Sequence, residues 1–252
     1  MRKRPRLVEG HEATMPIDKL KAPAKLHFRV IPVTRARQNC SLAWCGDTGR
    51  AVVIDPGGDI ERMLLAIREE GVQVERLLIT HGHPDHAGAA FDLADLLQIP
   101  IEGPHWDDMP LLARLGEVGE LYGFEDCLPF RPDRWLQHGD AIAVGRQTLN
   151  VLHCPGHTPG HLAYVSQDAR LAFVGDILFH GAVGATKTPQ DHLQLLYSIR
   201  EKLFPLGDDI VFVPGHEALS TFGEERVSNP VVSDRAAQKY HHLFAVHHSL
   251  LR

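Results

Sequence analysis

Seven side chains in four short turns have the types and spacing of metal ligands. The first turn follows Leu77-Leu78-Ile79 and reads Thr80-His81-Gly82-His83-Pro84-Asp85-His86, three imidazoles and a carboxylate within six residues. The others are Cys154-Pro155-Gly156-His157 after Val151-Leu152-His153, Gly175-Asp176 after Phe173-Val174, and Pro214-Gly215-His216 after Val211-Phe212-Val213. Neutral imidazole nitrogens and carboxylate oxygens bind Zn²⁺, Fe²⁺ or Mn²⁺. His81 and His83 can point to one side of an extended segment and share an ion, while Asp85 and His86, beyond the bend at Pro84, face a neighbouring position. His157 and His216 can complete one ligand set each, and the two oxygens of Asp176 can bridge them. Positions left open to water make such a site catalytic instead of structural. Isolated core or surface histidines are the competing explanation. They do not account for five histidines and two aspartates that all sit in turns after apolar runs.

The flanking sequence supplies elements to carry these turns. Phe28–Val33, Ser41–Cys45 and Ala51–Ile54 are short, β-branched runs separated by turn-forming stretches, which predicts an antiparallel meander. After Asp55-Pro56-Gly57-Gly58 the period changes. Ile60, Met63, Leu64 and Ile67 predict an amphipathic helix stopped by Gly71, and Ala87, Ala90, Phe91, Ala94 and Leu97 a second one. Residues 104–136, broken by prolines and glycines, read as a helix-and-loop insertion. Strands are expected at Ala141–Val144, Leu149–Leu152, Leu162–Val165, Leu171–Val174 and Ile210–Val213, with a helix carrying Leu196, Ile199 and Leu203. Strands in both halves with few intervening helices suggest two packed sheets with helices outside. If neighbouring strands share a direction, their C-terminal ends place all four turns along one edge.

Composition narrows the function classes. The 252 residues are 44% hydrophobic and 23% charged, as in a folded chain with a sizeable core. Lys+Arg 26 against Asp+Glu 32 leaves a charge of −6, which argues against a general nucleic-acid-binding surface. No apolar run approaches the ~18 residues of a membrane span, and the basic start lacks an apolar signal core, so a cytoplasmic location is expected. Cys40, Cys45, Cys127 and Cys154 form no C-x-x-C pair and read as free thiols. Residues 1–27 look like an extension, 28–230 the catalytic domain, and 231–252 a helical tail. His241-His242 and His247-His248 in that tail read as solvated surface, and Trp44, Trp106 and Trp135 as packing residues.

Thr-His-Gly-His-Pro-Asp-His (80–86), Pro-Gly-His-Thr-Pro-Gly-His (155–161), Gly-Asp (175–176) and Pro-Gly-His (214–216) resemble the metallo-β-lactamase superfamily, from about Phe28 to Pro230. Asn39-Cys40-Ser41, Val53-Ile54-Asp55-Pro56-Gly57-Gly58 and Pro205-Leu206-Gly207-Asp208-Asp209 resemble its small, single-domain glyoxalase II-like branch. The resemblance implies an α/β fold, an αββα sandwich of two mixed β-sheets with helices on the outer faces. It assigns His81, His83 and His157 to one metal, Asp85, His86 and His216 to a second, and Asp176 to both, with Asp55 orienting ligands through hydrogen bonds. Two Zn²⁺ ions are expected, with Fe²⁺ or Mn²⁺ as alternatives. The branch usually reads Val-Gly-Arg-Ser/Thr-Asp after the bridging aspartate, whereas this chain has Val183-Gly184-Ala185-Thr186-Lys187. That departure bears on loop geometry and substrate preference. Lys187 becomes a candidate contact for an anionic substrate, against the alternative of an unpartnered loop lysine.

Two adjacent cations can lower the pKa of bound water, hold hydroxide and polarise a carbonyl, with Asp85 as the catalytic residue orienting the water. A thioester suits this machinery, because a thiolate whose thiol has a pKa of about 8.5 leaves with little acid assistance. The expected activity is hydrolysis of a glutathione thioester such as S-lactoylglutathione. The alternatives are a lactone or other ester hydrolase, a glutathione persulfide dioxygenase holding one Fe²⁺ on His81, His157 and Asp176, and a metal-binding protein with lost catalysis.

Overall fold

The apolar runs pair into two sheets, described here from a computed structural model of residues 26–124 and 126–239. The opening meander is β1 (Leu26–Val33), β2 (Gln38–Cys45) and β3 (Arg50–Ile54), antiparallel throughout. Helix α1 (Ile60–Glu70) follows and stops at Gly71, whose left-handed φ of 64° ends it without steric cost. It returns the chain to β4 (Gln73–Leu78), parallel to β3. The one-turn α2 (Pro84–Ala87), α3 (Ala90–Leu97) and the short β5 (Ile101–Glu102) complete the first sheet, in the order β1-β2-β3-β4-β5.

The insertion contains α4 (Met109–Ala113) and α5 (Leu115–Tyr122). The second sheet is built from β6 (Ala141–Val144), β7 (Gln147–His153), β8 (Leu162–Ser166) and β9 (Leu171–Gly175). A small hairpin follows, β10 (Leu178–Phe179) with β11 (Ala182–Val183). Helix α6 (Pro189–Ser198) opens on a capping box, in which Thr188 and Asp191 satisfy each other's backbone N–H groups. Then come β12 (Val211–Pro214), β13 (Ser220–Thr221), α7 (Phe222–Ser228) and α8 (Asp234–Ala237). The second sheet runs β13-β12-β9-β8-β7-β6.

Side-chain alternation sorts each strand onto two faces. Val52 and Ile54 of β3 meet Tyr164 and Phe173 of the second sheet in a core between the sheets. Ala51 and Val53 face the opposite way, against Met63 and Ala66 of α1. Ala163, Val165, Ala172 and Val174 pack beneath Leu195 and Leu196 of α6. Helix, sheet, sheet, helix is the predicted αββα sandwich.

Three details differ from the sequence reading. The expected helix 87–97 is two helices, because the chain leaves helical geometry at Ala89 (φ −97°, ψ 6°), just after Gly88, where a Cβ would press on Pro84 O at 2.5 Å and Cys127 Sγ at 2.7 Å. In α3 the buried face is Ala90, Leu93 and Ala94, while Phe91 is 44% exposed. The stripe 196–203 becomes α6 followed by a wider π-turn over 199–203. Trp44 stacks on His27 and Trp106 meets Trp135 edge-on, as packing residues do, although Trp106 stays half exposed. All four cysteines are free and buried. Beyond Pro230, Val232 enters the core beneath α6, and Ala236 and Ala237 of α8 are buried. Residues 1–25 and the tail histidines at 241, 242, 247 and 248 lie outside the described residues. Among the described residues, no helix is long and apolar enough to cross a membrane.

Candidate metal centre

Strand direction brings the four turns together. β7 and β9 both run antiparallel to β8, and β12 is parallel to β9, so β7, β9 and β12 end on one edge. β3 and β4 are parallel and end beside it. Four hydrogen bonds lock the two edges: Leu162 N–H to Thr80 O (2.8 Å), the Tyr164 hydroxyl to Ile79 O (2.7 Å), Asn39 N–H to Gly215 O (2.7 Å) and Asn39 Nδ2 to Pro214 O (3.0 Å). Asn39, noted in the sequence for family likeness, therefore ties the first sheet to the turn that carries His216.

All seven predicted ligand residues converge at this edge. Nδ1 of His83 lies 3.0 Å from Nε2 of His81 and 3.0 Å from Nε2 of His157. Asp85 Oδ2 lies 3.1 Å from His216 Nε2 and 3.8 Å from His86 Nε2. Asp176 stands between these two groups. Its Oδ1 is 3.2 Å from His86 Nε2, and its Oδ2 is 3.5 Å from His157 Nε2 and 3.8 Å from His216 Nε2. His81 and His86 are fully buried, whereas His83, Asp85, His157 and His216 reach solvent. The cage is open.

Hydrogen bonds behind the cage aim the ring nitrogens. Asp55 has a left-handed φ of 55° and accepts from Thr80 N–H (2.7 Å), the Thr80 hydroxyl (2.6 Å) and His86 Nδ1 (2.9 Å). With its proton spent on Asp55, the Thr80 hydroxyl accepts from His81 Nδ1 at 3.0 Å. His157 Nδ1 donates to Ala185 O at 2.7 Å. His81 and His157 therefore present a bare Nε2 inward and His86 aims its Nε2 the same way, the arrangement that metal-binding histidines use. The divergent 183–187 stretch orients His157 through a backbone carbonyl, which any residue type supplies.

These residues fit a pair of cations. One proton on His83 Nδ1 can serve only one of its two imidazole neighbours, so the three converging nitrogens lack a partner that a cation would provide. His86 Nε2 and Asp176 Oδ1 are buried without any hydrogen bond. Gly215 leaves room for them: a Cβ there would lie 2.5 Å from His86 Cε1 and collide with Asp176 Oδ1. Electrostatics agree. Burial and neighbouring imidazoles hold His81 well below the ordinary value and His83 at about 4, so both are neutral donors at pH 7. Burial opposes charge on His86 and on Asp176, yet their mutual attraction prevails, raising the imidazole and lowering the carboxyl. For Asp85, too, burial opposes charge, but the His216 hydrogen bond together with the charges of His86 and His216 lowers the carboxyl.

Sequence reasoning missed Asp108. Its buried carboxylate accepts from Gly82 N–H (2.9 Å), Gly160 N–H (2.6 Å) and the Thr158 hydroxyl (2.8 Å), joining the loops of His81–His83 and His157. His161 also lies inside. Its Nε2 accepts from Asp176 N–H at 3.0 Å while its Nδ1 donates to Leu162 O, so it positions the Asp176 backbone. Cys154 is buried, its thiol pushed up to about 12 by desolvation, and stays apart from the cage. Lys187 is exposed. With His83, Asp85, Leu111, Arg114 and Tyr122 it lines a groove of about 440 Å³ beside the cage.

Comparison with known proteins agrees with this architecture. The "Hydroxyacylglutathione hydrolase GloC" of Haemophilus influenzae is 40% identical over 213 residues, covering 84% of this chain and all of the relative. Among solved structures, "BLEG-1 B3 metallo-beta-lactamase" superposes with a TM-score of 0.74 at 32% identity, covering 82% of this chain and 99% of that one. "TTHA1623 in a di-iron-bound form" gives 0.71 at 31% identity, covering 80% and 98%. Residues 33–216, from the end of β1 to the last histidine of the cage, match the family model described as "Metallo-beta-lactamase superfamily", and the chain belongs to that superfamily.

Proposed function

We propose that the chain is a dinuclear metal-dependent hydrolase of glutathione thioesters, with S-lactoylglutathione as the representative substrate. The observation that carries this reading is the placement of Asp176 between two complete triads, with His83 and Asp85 of those triads lining a solvent-open groove. His81, His83 and His157 would hold one ion, Asp85, His86 and His216 the other, and Asp176 both. A pair of bound divalent cations, Zn²⁺ or a similar first-row ion, supplies Lewis acidity toward water and the thioester carbonyl. The rest of the work falls to the chain. Asp85 faces the groove and orients the attacking water, Asp55 and Thr80 fix His81 and His86, and Ala185 O fixes His157.

The groove offers complementary chemistry to glutathione, a peptide with two carboxylates. Lys187 supplies positive charge, Arg114 lines the groove while paired with Glu117, and Leu111, Val118 and Phe124 supply an apolar wall for the acyl chain and the thioester sulfur. The relative named a hydroxyacylglutathione hydrolase supports the same substrate class. Four free thiols suit a cytoplasmic, reducing setting, where glutathione is abundant.

The test is a paired assay on one preparation: thiol release from S-lactoylglutathione, and oxygen uptake with glutathione persulfide. Metal-dependent thiol release with no oxygen uptake is expected. Oxygen uptake with a single iron per chain would replace this reading with the dioxygenase.

A further inference from the structure

Behind the cage, the loops that support it meet a second time at the protein surface. His105, Asp107 and His153 come together there, each offering a ligand atom within 4.8 Å of the other two. His153 ends β7, four residues before His157, and His105 opens the 3-10 turn Trp106–Asp108. The imidazoles of His105 and His153 stack, with centroids 4.0 Å apart and planes 16° from parallel. Asp107 Oδ2 lies 3.2 Å from His105 Nδ1. None of the three belongs to the cage.

The protonation pattern favours a cation. His153 Nε2 lies 2.8 Å from Pro159 O, and because a carbonyl only accepts, Nε2 carries the proton and Nδ1 is bare. A second nitrogen donating to a backbone carbonyl is how a metal-binding imidazole is oriented. His105 Nδ1 accepts a 3.3 Å hydrogen bond from Asp107 N–H beside the Asp107 carboxylate, and a cation would take the place of that bond. Burial keeps His153 below the ordinary imidazole value, so it gives up no proton to bind. Lys202, whose Nζ donates to His153 O at 2.6 Å, works against a cation, and the Asp107 carboxylate offsets it.

We propose that His105, Asp107 and His153 form a separate site for one divalent first-row transition ion. Two imidazoles and a carboxylate with open positions suit Zn²⁺ and its neighbours and do not suit Ca²⁺ or Mg²⁺, which take oxygen ligands. The ion pins the 105–108 segment to the 153–160 loop. Asp108 already joins those segments from the inside, so the site braces the loop that presents His157 without touching the cage.

The experiment uses protein loaded with its cage metals and titrated with Zn²⁺. Metal per chain is counted by elemental analysis after desalting, and the thermal midpoint is followed at each step. The comparison proteins are the double variant H105Q/D107N and the single variant H153Q, whose side-chain amide can still donate to Pro159 O. Because the cage is intact in all three, the difference isolates the second site. Wild type should take up one more equivalent than either variant, with a rise in midpoint that neither variant shows. Equal uptake, or an equal thermal response in all three, overturns the proposal.

Discussion

Replacing Asp108 with Ala removes a carboxylate that accepts three hydrogen bonds in a fully buried position and leaves Gly82 N–H, Gly160 N–H and the Thr158 hydroxyl without partners. Each bond to a charged acceptor contributes about 1.5–3 kcal/mol, but the cost of burying the carboxylate, visible in its raised pKa, disappears with it. Set against each other, these give a net loss of about 3–5 kcal/mol, the range for breaking a buried charged network. At roughly 2–4 °C per kcal/mol for a chain of this size, the thermal midpoint should fall by about 6–20 °C. Metal affinity should fall as well, by ~10–100-fold, because Gly82 separates His81 from His83, and Thr158 and Gly160 follow His157. Scanning calorimetry of metal-free protein measures the first effect, and competition with a chelating dye measures the second. A variant with an unchanged midpoint and unchanged zinc affinity would refute the role given to Asp108.

Other substitutions probe the cage and groove. Gly215→Ala places a methyl against Asp176 Oδ1 and His86 Cε1, and metal retained after desalting should drop with affinity reduced ~100-fold; wild-type metal content would contradict the close approach. Lys187→Ala should raise KM for S-lactoylglutathione about fivefold with kcat nearly constant, as expected for an exposed charge contact made equally in ground and transition states. An unchanged KM would leave Lys187 as an unpartnered loop residue. The metal-free protein should be most stable near pH 6.5. Burial and neighbouring imidazoles depress His81, His83 and His161, so their contribution is whole above pH 6.5 and erodes as pH falls toward about 4, the value for His83. His86 and His216, raised by their carboxylates in spite of burial, contribute fully below pH 6.5 and less as pH rises through their folded values. Thermal midpoints measured in chelator across the two flanks should decline on both, and a steady rise with pH would contradict this balance.

The sequence was most informative where backbone and side chain carry the same signal. Buried strands such as Leu171–Gly175 are apolar runs, and the glycines and histidines after them mark where the chain must bend and present a ligand. The Thr80–His86 segment concentrates so much donor chemistry that its convergence with His157, Asp176 and His216 could be anticipated. Asp108 could not be. It lies in a segment broken by Pro104 and Pro110, and an aspartate at a helix start ordinarily serves as a local cap. Its importance comes from Gly82, Thr158 and Gly160, distant in sequence and joined only by the fold. Thr80 is similar, because its hydroxyl matters only once Asp55 and His81 flank it. Phe91 misled the reading because it follows Ala90 by one residue, about 100° around the helix, and so falls off the buried face of Ala90, Leu93 and Ala94.

The most direct test of the central claim couples metal content to turnover in wild type and Asp176→Ala. After desalting against a weak chelator, wild type should keep both cage ions and release thiol from S-lactoylglutathione only when they are present. Without the carboxylate that stands between the two triads, Asp176→Ala should keep at most one cage ion and lose turnover. Wild-type turnover in metal-free protein, or an Asp176→Ala variant with unchanged metal and rate, would contradict the account.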